Sequence, residues 1–208
     1  MDHSSSGRLT PVIFYFLRHG ETDWNRRRVM QGQTDIDMNA NGLAQAEAVA
    51  AVVGNIPIAT VCSSPLKRAR VTAEIVNRRL GKPLIEIPQL MECRFGIYEG
   101  QDSGGAWRGP WEKGAALPGG ETFDGYRDRA LLGLNKALAY PAPVLVVAHG
   151  GTFWAVEKFA LNGKRVRIPN CVLFKIDPPA REGEEWTVTE LAAPPHPLAI
   201  GEAGPSSQ

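Results

Sequence analysis

The chain has 208 residues, with 23 basic against 22 acidic side chains and a net charge of +1, a balance that excludes the broad positive field by which a protein attracts nucleic acid or an anionic membrane surface. Its length suffices for one domain that buries both faces of a sheet, and no apolar run approaches the length of a membrane span. Three cysteines, Cys62, Cys93 and Cys171, form no C-x-x-C pair, and the opening Met1 to Ser6 lacks the basic and apolar regions of a signal peptide, so reduced thiols and a cytoplasmic location are expected.

Residues 1–10 read as a flexible N-terminus, 11–193 as a single domain and 194–208 as a flexible tail. Ile13 to Leu17 is apolar at every position, as a strand buried on both faces requires, and it stops at Arg18-His19-Gly20-Glu21. Arg26-Arg27-Arg28 behind it reads as a solvated loop. Asn39 to Gly42 leads into an Ala-rich helix from about Leu43 to Val53, closed by Gly54-Asn55. A second buried strand, Ile58 to Cys62, stops at Ser63-Ser64-Pro65, and a helix follows from about Leu66 to Leu80, with Gly81 behind it. Leu84 to Ile87 is a short strand between two prolines. Gly104 to Pro118 is irregular and rich in Gly and Trp, and a helix is expected from about Thr122 to Ala139. Val144 to Ala148 repeats the all-apolar pattern and stops at His149-Gly150-Gly151 before another helical stretch. Cys171 to Ile176 and Trp186 to Thr189 close the chain as a hairpin. Alternating strands and helices of this kind specify an α/β sandwich with a mostly parallel sheet.

In open parallel sheets the ligand crevice lies beyond the carboxyl ends of the strands. Three such ends would bring Arg18, His19, Arg68 and His149 to one place, each beside a helix N-terminus that favours anions. A lone histidine at a strand end is ordinary, but three polar, Gly- or Ser-rich ends coincide here. Two histidines and two arginines in one crevice suit a phosphoryl group. No metal and no cofactor are needed, because the histidines lack ligand spacing and the arginines already supply positive charge.

Four segments in order also carry a family likeness: Leu17-Arg18-His19-Gly20-Glu21-Thr22 with Asn25; Ser63 to Ala69 with Thr72-Ala73; Leu90-Met91-Glu92 with Phe95-Gly96 and Glu99-Gly100; and Ala148 to Gly151. The chain resembles the histidine phosphatase superfamily, in its phosphoglycerate-mutase-like branch, over residues 12 to about 160. The resemblance implies a three-layer α/β/α sandwich, His19 as the nucleophile that becomes phosphohistidine, and Glu92 as proton donor and acceptor. It also implies that Arg18, Arg68 and His149 grip the phosphoryl oxygens, with Asn25, Gly150, Glu21 and Thr22 around them. The glycolytic mutases carry an arginine directly after the acid glutamate, where this chain has Cys93, although Arg94 stands one place further on. The expectation is therefore a phosphatase acting on a small phosphomonoester, with a phosphoglycerate mutase or a phosphoprotein phosphatase as alternatives. Trp107, Arg108, Trp111 and Lys113 either cover the mouth or serve as core packing and solvated charge, Glu121 either contacts the site or caps a helix, and the sequence leaves monomer and homodimer both open.

Overall fold

The computed structural model describes residues 7–181 and 184–193. The elements run β1 (Phe14–Arg18), α1 (Asp23–Arg26), α2 (Ala40–Val53), β2 (Thr60–Ser63), α3 (Lys67–Leu80), β3 (Leu84–Glu86), α4 (Arg108–Glu112), α5 (Phe123–Leu138), β4 (Val144–Ala148), α6 (Phe153–Phe159), β5 (Leu173–Asp177) and β6 (Thr187–Ala192). The six strands form one sheet in the order β3-β2-β4-β1-β5-β6. β3, β2, β4 and β1 are mutually parallel, whereas β5 and β6 run antiparallel at one edge. The mixed α/β fold with a mostly parallel sheet is as the sequence led us to expect.

The unbroken apolar runs have a simple cause, since successive strand side chains point to opposite faces and both faces are covered. Phe14, Phe16, Val144 and Val146 pack into a core shared with Ala130, Leu134, Phe153 and Val156 of α5 and α6. Tyr15, Leu17, Leu145 and Val147 face the other way, against Ala46, Val49, Ala73 and Val76 of α2 and α3. Three layers result.

Several boundaries differ from expectation for local reasons. α2 begins a turn early because the Asn39 side chain caps it, accepting from Gly42 N at 2.8 Å. The irregular segment after Gly104 holds the short helix α4, stapled by an Arg108 to Glu112 ion pair one turn apart. Residues 7–10, placed in a flexible terminus by composition alone, instead pack: Leu9 is buried in the core, and Thr10 donates to Asn135 Oδ1 at 2.9 Å. The remainder of that terminus and the 194–208 tail lie outside the described residues. No described helix is long and apolar enough to cross a membrane. The three cysteines are free and buried, and burial pushes the Cys62 and Cys171 thiols up to about 12, which keeps them protonated.

Candidate active site

Sheet register assembles the site. Arg18 pairs with Ala148 across β1 and β4, so His19 and His149 are the next residues on neighbouring strands, and their rings stand 5.2 Å apart between centroids. Ser63 pairs with Val147 on the other side of β4, which sets Ser64 beside His149. Arg68 enters from the first turn of α3, just behind β2. Three stretches of chain distant in sequence, at Arg18-His19, Arg68 and His149, are thereby neighbours.

His19 is buried, and its Nδ1 lies 2.8 Å from Gly20 O. A carbonyl can only accept, so Nδ1 carries the proton and Nε2 keeps its lone pair. Burial, then the positive charges of Arg68 and Arg18, hold its pKa well below the usual histidine value. The ring is therefore neutral at pH 7, as a nucleophile must be. Asn170 fastens the same residue by donating to His19 O at 2.8 Å.

The two arginines are held from behind. Arg18 Nη1 donates to Ile168 O at 2.8 Å, and Arg68 donates to Thr34 O at 3.0 Å and Gly32 O at 2.7 Å. The Nε of each is buried without a partner among the described residues, a set of donors that suits an anion's oxygens. Burial, then Arg68, His19 and Arg18, depress the pKa of His149 well below its ordinary value. Its Nε2 lies 2.8 Å from Ser64 Oγ, which itself accepts from Leu66 N. If Ser64 donates to Nε2, the proton of the neutral ring sits on Nδ1, which is buried and unpartnered.

Glu92 arrives from a loop rather than a strand, after a 3₁₀ turn at Pro88–Leu90. Its Oε1 accepts from Tyr126 OH at 2.7 Å and Cys93 N at 2.9 Å, and its Oε2 from Gly151 N at 3.3 Å. Burial, then the Glu92 charge, raise the Tyr126 pKa well above the ordinary tyrosine value, so the hydroxyl stays a donor. A side chain at Gly151 would collide with Glu92 Oε1, which is why glycine stands there.

Arg18, His19, Arg68, Glu92 and Gly150 line one cavity of about 440 Å³. Met30, Gln31, Phe95, Arg108, Trp154 and Arg167 form the rest of its wall. The other expected residues lie elsewhere, and His149, wholly buried beside Ser64, does not itself line the cavity. Thr22 caps α1, with the Asn25 backbone donating to its hydroxyl and its own N–H donating back to Asn25 Oδ1; neither lines the cavity. Glu21 accepts from Asn39 at 3.0 Å. The Arg94 side chain, which its sequence position offered as a carboxylate grip, is exposed and does not line the cavity. Of the insertion candidates, Arg108 reaches the wall, Trp107 stacks on Tyr98, Trp111 is core, and Lys113 is exposed. Glu121 meets Arg129 and not the cavity. Gln31, Trp154, Arg167 and Asn170 were not anticipated, because no strand end or periodicity marks them. Among the described residues no group of three or more His, Cys, Asp or Glu is placed to hold a metal.

These features suit the binding of an anion beside a neutral histidine, and comparison with known proteins gives the family. The profile of the histidine phosphatase superfamily (branch 1) matches residues 14–192. The chain belongs to that superfamily and is an enzyme of its phosphatase and mutase kind. It is 38% identical over 186 residues to the uncharacterized phosphatase PhoE of Bacillus subtilis, covering 84% of this chain and 91% of that protein. It is 35% identical over 179 residues to a protein of Serratia proteamaculans named "Probable phosphoglycerate mutase GpmB", covering 78% and 83% of the two chains. Among solved structures, a mycobacterial glucosyl-3-phosphoglycerate phosphatase in complex with VO3 superposes with a TM-score of 0.74 at 26% identity, over 87% of this chain and 99% of that one.

Proposed function

We propose that the protein hydrolyses a small phosphomonoester through a phosphohistidine at His19, without metal or cofactor. His19 Nε2 attacks phosphorus in line, forming the N–P bond while the bond to the substrate oxygen breaks. Glu92, protonated, gives its proton to that departing oxygen, and the alcohol leaves. The Glu92 carboxylate then takes a proton from water, whose oxygen attacks phosphorus as the N–P bond returns its electron pair to Nε2. Arg18, Arg68 and His149 hold the equatorial oxygens through both steps, each donor contributing about 3 kcal/mol in the transition state. Planar guanidinium forks suit this better than an ammonium point charge.

The observation that carries the reading is the Nδ1 contact to Gly20 O beside two arginines with free buried donors, which leaves a neutral nucleophile facing an anion cradle. A mutase would use the same cradle with a further grip on its substrate's carboxylate; Arg94 lies outside the cavity, and Arg108 and Arg167 in its wall are the arginines left for that role. A cavity of about 440 Å³ favours a small substrate over a phosphoprotein. We place the enzyme in the cytoplasm, as one domain that includes Leu9 and Thr10, monomeric or homodimeric.

The test is phosphate release by wild type and His19→Ala from 3-phosphoglycerate, phosphoserine, sugar phosphates and p-nitrophenyl phosphate, with no metal added. Release by wild type and a loss of at least about 10⁴-fold in the variant are expected. Isomerisation of 3-phosphoglycerate primed by 2,3-bisphosphoglycerate, with no release from any ester, would overturn the hydrolase reading.

A further inference from the structure

The acid–base glutamate sits on a loop, and a loop does not by itself hold a carboxylate to the tolerance that proton transfer demands. What holds Glu92 is one face of α5. Tyr126 and Arg129 stand one turn apart on that helix, and Tyr126 OH reaches Glu92 Oε1 at 2.7 Å. Arg129 does not touch the carboxylate. It binds the backbone that carries it: Nη1 donates to Gln89 O at 2.9 Å and Met91 O at 3.0 Å, and Nη2 donates to Glu92 O at 3.1 Å. Its remaining two donors go to Glu121, Nε to Oε1 and Nη2 to Oε2, each at 2.7 Å.

All five N–H groups of the Arg129 fork are therefore used, three on the carbonyls of residues 89, 91 and 92 and two on one carboxylate. Glu121 closes the ring, because its Oε2 also accepts from Arg94 N at 2.8 Å and its own N–H donates to Arg94 O at 2.8 Å. A full turn further along α5, Gly133 lets the helix sit against the backbone of Gln89, where any side chain would strike it. The loop is thus held at residues 89, 91, 92 and 94 from outside the cavity.

We infer that Tyr126 and Arg129, the latter with Glu121, are positioning residues for proton transfer: Arg129 and Glu121 set the height of the loop, and Tyr126 pins Oε1. With Oε1 occupied by Tyr126 and Cys93 N, the proton is exchanged with the substrate through Oε2, whose bond to Gly151 N is long at 3.3 Å. The inference rests on Glu92 being the general acid of the proposed reaction.

The discriminating experiment compares kcat/KM for two esters, because that constant reports only the steps up to departure of the alcohol. β-Glycerophosphate has a poor leaving group that needs a proton, whereas p-nitrophenyl phosphate expels a stable phenolate without one. Glu92→Gln, Tyr126→Phe and Arg129→Lys are measured on both. The expected result is a loss of about 10- to 100-fold on β-glycerophosphate for Tyr126→Phe and Arg129→Lys, with p-nitrophenyl phosphate nearly unchanged. Equal losses on both esters would mean a merely structural role and overturn the inference, as would no loss in either variant while Glu92→Gln shows the selective defect. Should Glu92→Gln itself treat the two esters alike, the acid role of Glu92 fails and the inference falls with it. Tyr126→Phe keeps the ring and its packing, so the inference remains testable if Arg129→Lys does not fold.

Discussion

The two walls of the cavity are built in different ways. On the proposed reading the phosphate side is made of strand ends and a helix start: Arg18, His19 and Arg68, with His149 next to them, stand where backbone pairing of β1, β4 and β2 leaves them. On the same reading the leaving-group side is made of loops and the short helix α4: Arg108 starts α4, the Glu92 loop is gripped at its backbone by Arg129, and Asn170 grips His19 O. Glu157 illustrates the second style. It is buried, accepts from Val166 N at 2.9 Å and from Arg165 at 3.1 Å, and so ties the start of the loop that ends at Asn170. A cradle set by the sheet suits the part of the reaction common to every phosphomonoester, whereas loops can vary with the alcohol.

If that division holds, damage to the first wall should be blind to the leaving group. Arg68→Lys keeps a charge but loses the fork that donates to Thr34 O and Gly32 O, and kcat/KM is expected to fall about 10²- to 10³-fold on alkyl and aryl esters alike. A loss confined to alkyl esters would erase the distinction between the walls. Gly151→Ala is the complementary break, since the added methyl meets Glu92 Oε1. It should cost about 10²-fold on an alkyl ester and far less on p-nitrophenyl phosphate, measured as kcat/KM on each.

The same contrast explains what could be read in advance. The cradle was legible because a strand buried on both faces is apolar throughout, so Ile13 to Leu17 and Val144 to Ala148 announce their own ends and the polar residue at each end stands out. Glu92 was legible only through the family likeness; as a sequence feature it is one acidic residue in a loop. Arg129 looked like any charge on a helix, because its worth lies in reaching the carbonyls of Gln89, Met91 and Glu92, some 40 positions back, and no periodicity records that. Arg94 misled for the converse reason: adjacency to Glu92 in sequence does not fix direction, and its backbone pairs with Glu121 while its side chain faces solvent.

A smaller effect concerns the cost of keeping the cradle neutral. His19 and His149 have pKa values well below 6.5 in the folded chain, whereas the unfolded chain binds protons near that value. Below pH 6.5 the unfolded state therefore holds more protons, so stability is complete above pH 6.5 and falls as the pH drops toward the folded values. Each histidine contributes at most about 1.4 kcal/mol per pH unit in that window. Urea unfolding between pH 7.5 and 5.5 should show this loss in wild type and a shallower one in a His149→Asn variant. Identical slopes would mean that His149 is not held neutral by the cradle.

The proposed reaction passes through a covalent intermediate, which rapid acid-free quenching of the enzyme during turnover of p-nitrophenyl phosphate, followed by mass mapping of the phosphorylated peptide, would capture. The account predicts one phosphoryl group on His19, stable to base and labile to acid, that accumulates in Glu92→Gln because the group that activates water is gone. Continued turnover with no phosphoryl group on His19, or with the group on another residue, would contradict it.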